Sequence, residues 1–248
     1  MKTFFAFLLA LLTGLIFPVH LQAQQEKKPL SSGLQFGVHN TNRGFGFELG
    51  FLKGPNSRQF VYGIDLHLVR DQQETRSESF FQNQGRRYVF GKLNNFLVLH
   101  PSIGVQTEIV PRTFISLVKM KVGAKIGPAI GLLNPYYLEI FEPNPTNPVS
   151  GARSIAAYDP AEHTYGLIIG RANLISSQID LKARIGLSTK AYALFNFARK
   201  ARYISALKLA VHADAFTNSV PILVATEQLP QRRFFLAFSV GLLFGSRW

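Results

Sequence analysis

Along most of the chain apolar residues alternate with small or polar ones at period two, the pattern of strands that present one apolar face. The alternation is cleanest at the end. Phe234, Leu236, Phe238, Val240, Leu242, Phe244 and Trp248 share one face, interrupted only by Ser246, against Phe235, Ala237, Ser239, Gly241, Leu243 and Gly245 on the other. Upstream, Gly33 to His39 and Gly44 to Phe51 form a hairpin about Thr41-Asn42-Arg43, the second strand setting phenylalanines against Gly44, Gly46, Glu48 and Gly50. These glycines lack the following helix that a nucleotide-binding loop requires, so they read as inward positions where space is short.

A third strand runs from Gln59 to Arg70, with Asp65 and His67 inward. A fourth runs from Arg87 to about Glu108, with Leu93, Leu97, Leu99, Ile103 and Val105 outward and Lys92, Asn94, His100, Ser102 and Gln106 inward. Pro101 and Asn94-Asn95 predict a bend or bulge there. The fifth, Thr113 to about Leu132, places Lys119, Lys121 and Lys125 on one inward face. The sixth, Ile179 to Phe197, places Lys182, Arg184, Ser188, Lys190, Tyr192 and Asn196 inward. The seventh, Tyr203 to Phe216, turns Lys208, His212 and Asp214 inward, and the terminal strand is the eighth. Asn134 to Ser177, rich in proline, reads as a long irregular loop with a short strand near Thr164 to Ile169.

The connections near Gly54, Pro111 and Lys200 are short, whereas Asp71 to Gln84, Asn134 to Ser177 and Thr217 to Gln231 are long; the short turn at Asn42 is the exception. Long loops on one rim and short turns on the other predict an all-β, antiparallel up-and-down transmembrane β-barrel, a parity that Greek-key sandwiches do not show. The count is eight strands, or ten if the Asn94-Asn95 region turns or the long loop adds a hairpin. Eight leave an interior just wide enough for side chains to fill, so no open pore is expected.

The chain thus resembles the small outer-membrane β-barrel proteins of Gram-negative bacteria. Its terminal row Val240, Leu242, Phe244 and Trp248 resembles the signal by which such barrels are recognised for insertion. The stretches Tyr88 to Asn94 and Gly131 to Leu138 look like segments of an uncharacterised group of these barrels, a resemblance that implies no catalytic residues. It implies contact with outer-membrane lipid and lipopolysaccharide, and with the barrel-assembly machinery during biogenesis.

Composition agrees with export. Lys2, the apolar run from Phe4 to Val19 and Leu21-Gln22-Ala23 read as a cleaved signal peptide over 1–23, followed by a periplasmic leader over 24–32 and the barrel domain over 33–248. The chain has no cysteine, which rules out a disulfide framework, a thiolate metal site and a cysteine nucleophile. The mature sequence contains no uncharged apolar run of the roughly 20 residues a spanning helix needs. The net charge of +13 would suggest nucleic acid in a cytoplasmic protein; for an exported chain lipid phosphate is the expected anion, and no nucleic acid.

Inward charge is the main candidate chemistry. Lys92, Lys119, Lys121, Lys125, Lys182, Arg184, Lys190 and Lys208 form a basic lumen set that outnumbers Glu48, Asp65 and Asp214, and must meet acids, carbonyls, water or a bound anion. Arg43, Arg70, Arg86, Arg87, Arg232 and Arg233 fall at the outer rim, where guanidinium forks suit lipid phosphate. Because Lys53, Arg58, Arg112, Arg199, Lys200 and Arg202 make the inner rim basic as well, rim charge does not single out one lipid site. His39, His67, His212 and Asp214 lie towards the long-loop ends of their strands, where a narrow barrel could gather them into a metal site or an acid/base pair. No spacing motif assigns a catalytic, cofactor or metal residue. Two functions remain: a structural or interaction barrel that contacts another envelope protein, and a lipid-active or proteolytic barrel enzyme, for which the lipid-facing set offers no histidine as base.

Overall fold

In the computed structural model, residues 31–55, 57–78, 86–111, 118–144, 146–173, 180–200, 202–225 and 231–248 are described. The expected signal peptide and nearly all of the leader, together with Phe114 and Arg112, lie outside these residues. Eight long strands close into an antiparallel up-and-down barrel: β1 (Ser32–Thr41), β2 (Gly44–Lys53), β3 (Arg58–Val69), β6 (Asn94–Val110), β7 (Lys119–Pro135), β11 (Lys182–Asn196), β12 (Tyr203–Val220) and β13 (Arg232–Arg247). Each pairs with its chain neighbours, and β1 closes on β13 from Gly33↔Arg247 to Thr41↔Ser239. Ser32 and Trp248 exchange two further backbone hydrogen bonds, of 3.2 and 3.0 Å, so the seam is paired to the last residue.

The alternation sorts the faces as expected. Phe36, Leu49, Ile64, Ile103, Ile126, Leu187, Val211 and Val240, one from each barrel strand, point outward and remain 40–60% exposed, making an apolar belt round the whole wall. Gly44, with φ of +138°, makes the tight β1–β2 turn in a conformation that side chains resist. No register shift occurs at Pro101: β3 and β6 keep one register from Arg58↔Thr107 to Val69↔Phe96, with Ile64 opposite Pro101, while the pairing with β7 is interrupted between Leu99↔Ile130 and Ile103↔Ile126. The irregularity lies instead between Glu108 and Val110 on the β6–β7 ladder. Proline is tolerated because β3 continues to pair with β6 across it while the β7 ladder skips the position and resumes in the same register.

The largest departure from the sequence expectation is at the long-loop end. Residues expected to be irregular form β8 (Tyr137–Asn144), β9 (Asn147–Ala157) and β10 (Ile168–Arg171), a separate sheet in the order β10-β8-β9, and β4 (Arg76–Ser77) pairs with β5 (Tyr88–Val89). The extra hairpin therefore does not enlarge the barrel to ten strands. The segment expected as a loop from Thr217 continues β12 to Val220 and then runs beside Lys92–Asn94; the Leu93 amide donates to the Ile222 carbonyl at 2.9 Å. Tyr88, Tyr136, Leu138, Ile140, Tyr158 and Ile168 bury together as the core of this cap. Leu93, expected on the outer wall, packs against that core because the barrel strand begins only at Asn94.

Inside the barrel the side chains are layered. Phe96, Val98, Ala129, Leu133, Phe216, Val220, Ile222 and Phe235 pack at the long-loop end, and the rings of Phe96, Phe216 and Phe235 lie 5.4–5.9 Å apart. Leu52, Val61, Tyr192, Leu194, Ile204, Ala206, Ala210 and Leu243 pack towards the short-turn end. Between these apolar layers lie buried acids, lysines and histidines.

Candidate functional site: the polar layer of the barrel

The strand register places like charges side by side. Glu48 on β2 is directly opposite Asp65 on β3, and Lys125 on β7 is directly opposite Lys190 on β11. Each like-charged pair is unfavourable on its own wall. The narrow lumen brings the walls together: Lys190 Nζ donates to Asp65 Oδ2 at 2.7 Å and lies 3.6 Å from Glu48 Oε2, and Lys125 Nζ lies 3.9 Å from Asp65 Oδ1. From β12, Lys208 Nζ donates to both Glu48 oxygens at 2.7 and 2.5 Å and stands 4.4 Å from the centre of the Tyr192 ring. Buried acids and bases thus neutralise one another across the barrel.

Towards the short-turn end, Gln59 and Gln106 extend the network. Gln59 Oε1 accepts from Gln106 Nε2 at 2.8 Å, from Lys121 Nζ at 2.9 Å and from Arg247 Nη2 at 3.2 Å, and Tyr192 Oη donates to Gln106 at 3.2 Å. Lys119 is half-buried, 4.0 Å from Glu108. Lys119, Lys121, Asn196, Arg199, Lys200 and Arg247 line a cavity of about 260 Å³ at this mouth.

Of the basic lumen set, Lys121, Lys125, Lys190 and Lys208 are buried inside as expected. Three members require correction. Lys92 belongs to the cap, where it donates to Glu74 at 2.8 Å and faces the Tyr136 ring. Burial holds it below the ordinary lysine range, and the pairing with Glu74 acts the other way. Lys182 and Arg184 have the inward parity but lie at the long-loop end of β11, opposite Leu133 and Gly131; Lys182 is exposed, and Arg184 is half-buried and donates to the carbonyl oxygens of Ser219 and Ala183.

The rim arginines do not form one cluster. Arg43 is buried, its Nε donating to the Leu236 carbonyl at 2.9 Å and its guanidinium 5.5 Å from the Phe235 ring. Arg87 pairs with Glu78 at 2.8 Å and Arg86 reaches Asn173 at 3.4 Å, both on the cap. Arg70 and Arg233 are exposed and Arg232 is half-buried. Val240, Leu242, Phe244 and Trp248 all point outward, 40–57% exposed.

Above the ionic pairs the barrel does gather the histidines. His39 Nε2 and His67 Nε2 stand 2.9 Å apart, and the His212 ring centre is 4.9 Å from that of His67 and 5.8 Å from that of His39. Asp214 pairs elsewhere, its Oδ1 3.1 Å from Nε2 of His100. Arg247 and Gln59 are the polar members that the sequence reading missed. Both lie within the expected strands and share their inward parity, so carrying the alternation to the first residue of the third strand and to the penultimate residue of the last finds them.

No protein-family model matches the chain, and a comparison with characterised proteins finds no match. Among solved structures the chain is similar to Neisserial surface protein A (NspA), with a TM-score of 0.43 and 8% identity over 90% of this chain and 100% of that one. It is also similar to Ail, the attachment invasion locus protein of Yersinia pestis, solved with the heparin analogue sucrose octasulfate. There the TM-score is 0.40, with 9% identity over 88% of this chain and 97% of that one.

Proposed function

We propose that the protein is an integral outer-membrane barrel, exported by way of a cleaved signal peptide, that acts through its cap as a structural or interaction component of the cell envelope. The observation that carries this reading is the apolar belt contributed by all eight strands. A water-soluble barrel would leave that surface to aggregate, whereas a bilayer covers it and the closed wall satisfies every strand edge. The terminal row ending at Trp248 serves as the insertion signal for the assembly machinery. Arg70 and Arg233, exposed at the long-loop end, contact lipid phosphate.

The lumen is filled and does not conduct. Two apolar layers enclose the polar one, and salt bridges occupy its centre. The same enclosure denies a lipid or peptide access to the inward histidines, which argues against hydrolytic activity. The cap, with its own buried aromatic core, presents Phe90 and Tyr165 half-exposed and 5.7 Å apart, a surface suited to another envelope protein.

Density-gradient fractionation tests the reading: the protein should travel with the outer membrane and migrate faster unheated than boiled on denaturing gels. Recovery as a soluble periplasmic protein would overturn it. Pull-down from detergent-solubilised membranes, with and without residues 137–171, then tests whether the cap holds the partner.

A further inference from the structure

His39 on β1 and His67 on β3 are both register partners of Gly46 on the intervening strand β2. The missing side chain at Gly46 is what allows the rings to meet: a Cβ there would lie 2.6 Å from His39 Nε2. His212 approaches from β12, and the three residues can each offer a ring nitrogen within 4.8 Å of the other two. All three are buried, at 7%, 5% and 2% exposure. His212 Nε2 lies 2.8 Å from Ser239 Oγ, while its Nδ1 is buried with no hydrogen-bond partner among the described residues. With Nε2–H donating to the serine, Nδ1 carries the lone pair.

We propose that His39, His67 and His212 form a three-nitrogen site for a divalent transition metal of the zinc, nickel and copper class. Imidazole suits these ions, whereas calcium and magnesium require oxygen. A tetrahedral centre with metal–nitrogen bonds of about 2.0–2.1 Å spaces its nitrogens about 3.3 Å apart. His39 Nε2 and His67 Nε2, 2.9 Å apart, stand near that spacing, and His212 offers a ring nitrogen within 4.8 Å of one on each of them; the proton that His39 and His67 share shifts to the Nδ1 of its ring as the metal takes its place. Ser239 is the outer partner that fixes the tautomer and orientation of His212.

The neighbouring charges set the fourth ligand. Lys125, Lys190 and Lys208 from β7, β11 and β12 face Glu48, Asp65 and Asp214 from β2, β3 and β12, so the layer balances and a dication adds charge to it. An anion, hydroxide or chloride, therefore fills the open position. The apolar layers to either side imply that the ion enters while the barrel is still open and exchanges slowly once it has closed.

The test is to refold the full mature chain into detergent with zinc, remove free ion with a chelator and measure bound metal. Wild type and His163→Gln, which alters a half-buried cap histidine remote from the three, should retain about one equivalent. His67→Gln, folded by the criterion of heat-modifiable migration, should retain at least about tenfold less. Wild type holding no metal, or His67→Gln holding as much as wild type, would overturn the proposal. If His67→Gln does not fold, refolding wild type with cobalt(II) decides: the intense visible bands of a tetrahedral, nitrogen-ligated ion support the site, and the weak spectrum of the hydrated ion overturns it.

Discussion

Replacing Glu48 by glutamine isolates the energetics of the polar layer. Glu48 is the carboxylate that holds Lys208, by contacts of 2.7 and 2.5 Å, and Lys190 stands 3.6 Å from it. In Glu48→Gln, Lys190 keeps Asp65 at 2.7 Å, while Lys208, 4% exposed, is left with no acid in contact among the described residues. Removing one partner of a buried ion pair costs about 3–5 kcal/mol, and because the glutamine oxygen still accepts a hydrogen bond, the lower end of that range applies. Lys208→Met should cost less, since Glu48 retains Lys190 and methionine fills most of the volume. The double variant, with no uncompensated charge, should fall close to Lys208→Met. Equilibrium unfolding in urea of barrels refolded into detergent gives all three values. A Glu48→Gln cost below about 1 kcal/mol, or one no larger than that of Lys208→Met, would refute the assignment of these salt bridges.

Three further outcomes concern the membrane placement proposed above. Leu187→Arg, on the outward face near the middle of β11, should cost about 2–4 kcal/mol in a bilayer, and Leu181→Arg, just before that strand begins, about 0–1 kcal/mol; equal costs in lipid-vesicle refolding would count against a lipid-facing wall. The cysteine-free chain allows single-cysteine labelling: in intact cells a bulky maleimide should reach Glu162→Cys on the cap and not Lys200→Cys at the opposite end, and the reverse result inverts the topology. Deleting Trp248 should slow insertion and accumulate a protease-sensitive periplasmic form while leaving the assembled barrel nearly as stable, whereas Ser246→Ala should be almost silent; insertion of the truncated chain at the normal rate would show that the ending is an ordinary strand end.

The barrel was legible because its signal is repeated: the outward residues of eight strands obey one period, so an error in any one strand is outvoted. The cap was not. Pro143 and Pro148 suggest a breaker across β8 and β9, although both sit close to the hairpin tip between Asn144 and Asn147, where proline is harmless. Parity identified which lysines face inward but not how far along the barrel they lie, which is why Lys182 and Arg184 were grouped with Lys190. Arg43 was placed at the rim because a turn residue normally points to solvent; a short β1–β2 connection instead lets it fold over Phe235. The histidines were each assigned to the correct end of a strand. Their meeting depends on the empty position at Gly46 and on the stagger between walls, neither of which alternation encodes.

The pairing of Glu48 opposite Asp65 and of Lys125 opposite Lys190 has a consequence for the order of assembly. The first three strands expose two acids on one inner surface, and the bases that answer them arrive 125 and 160 residues later in the chain. A partly assembled sheet therefore carries unreconciled charge on each half, negative at its beginning and positive near its end. Curling the sheet until those halves face each other relieves both at once, and misaligned closure between β1 and β13 would leave some of that charge facing its like. The chain carries its own proofreading in the distribution of sign along its length: the seam made last is checked by residues that are not in it.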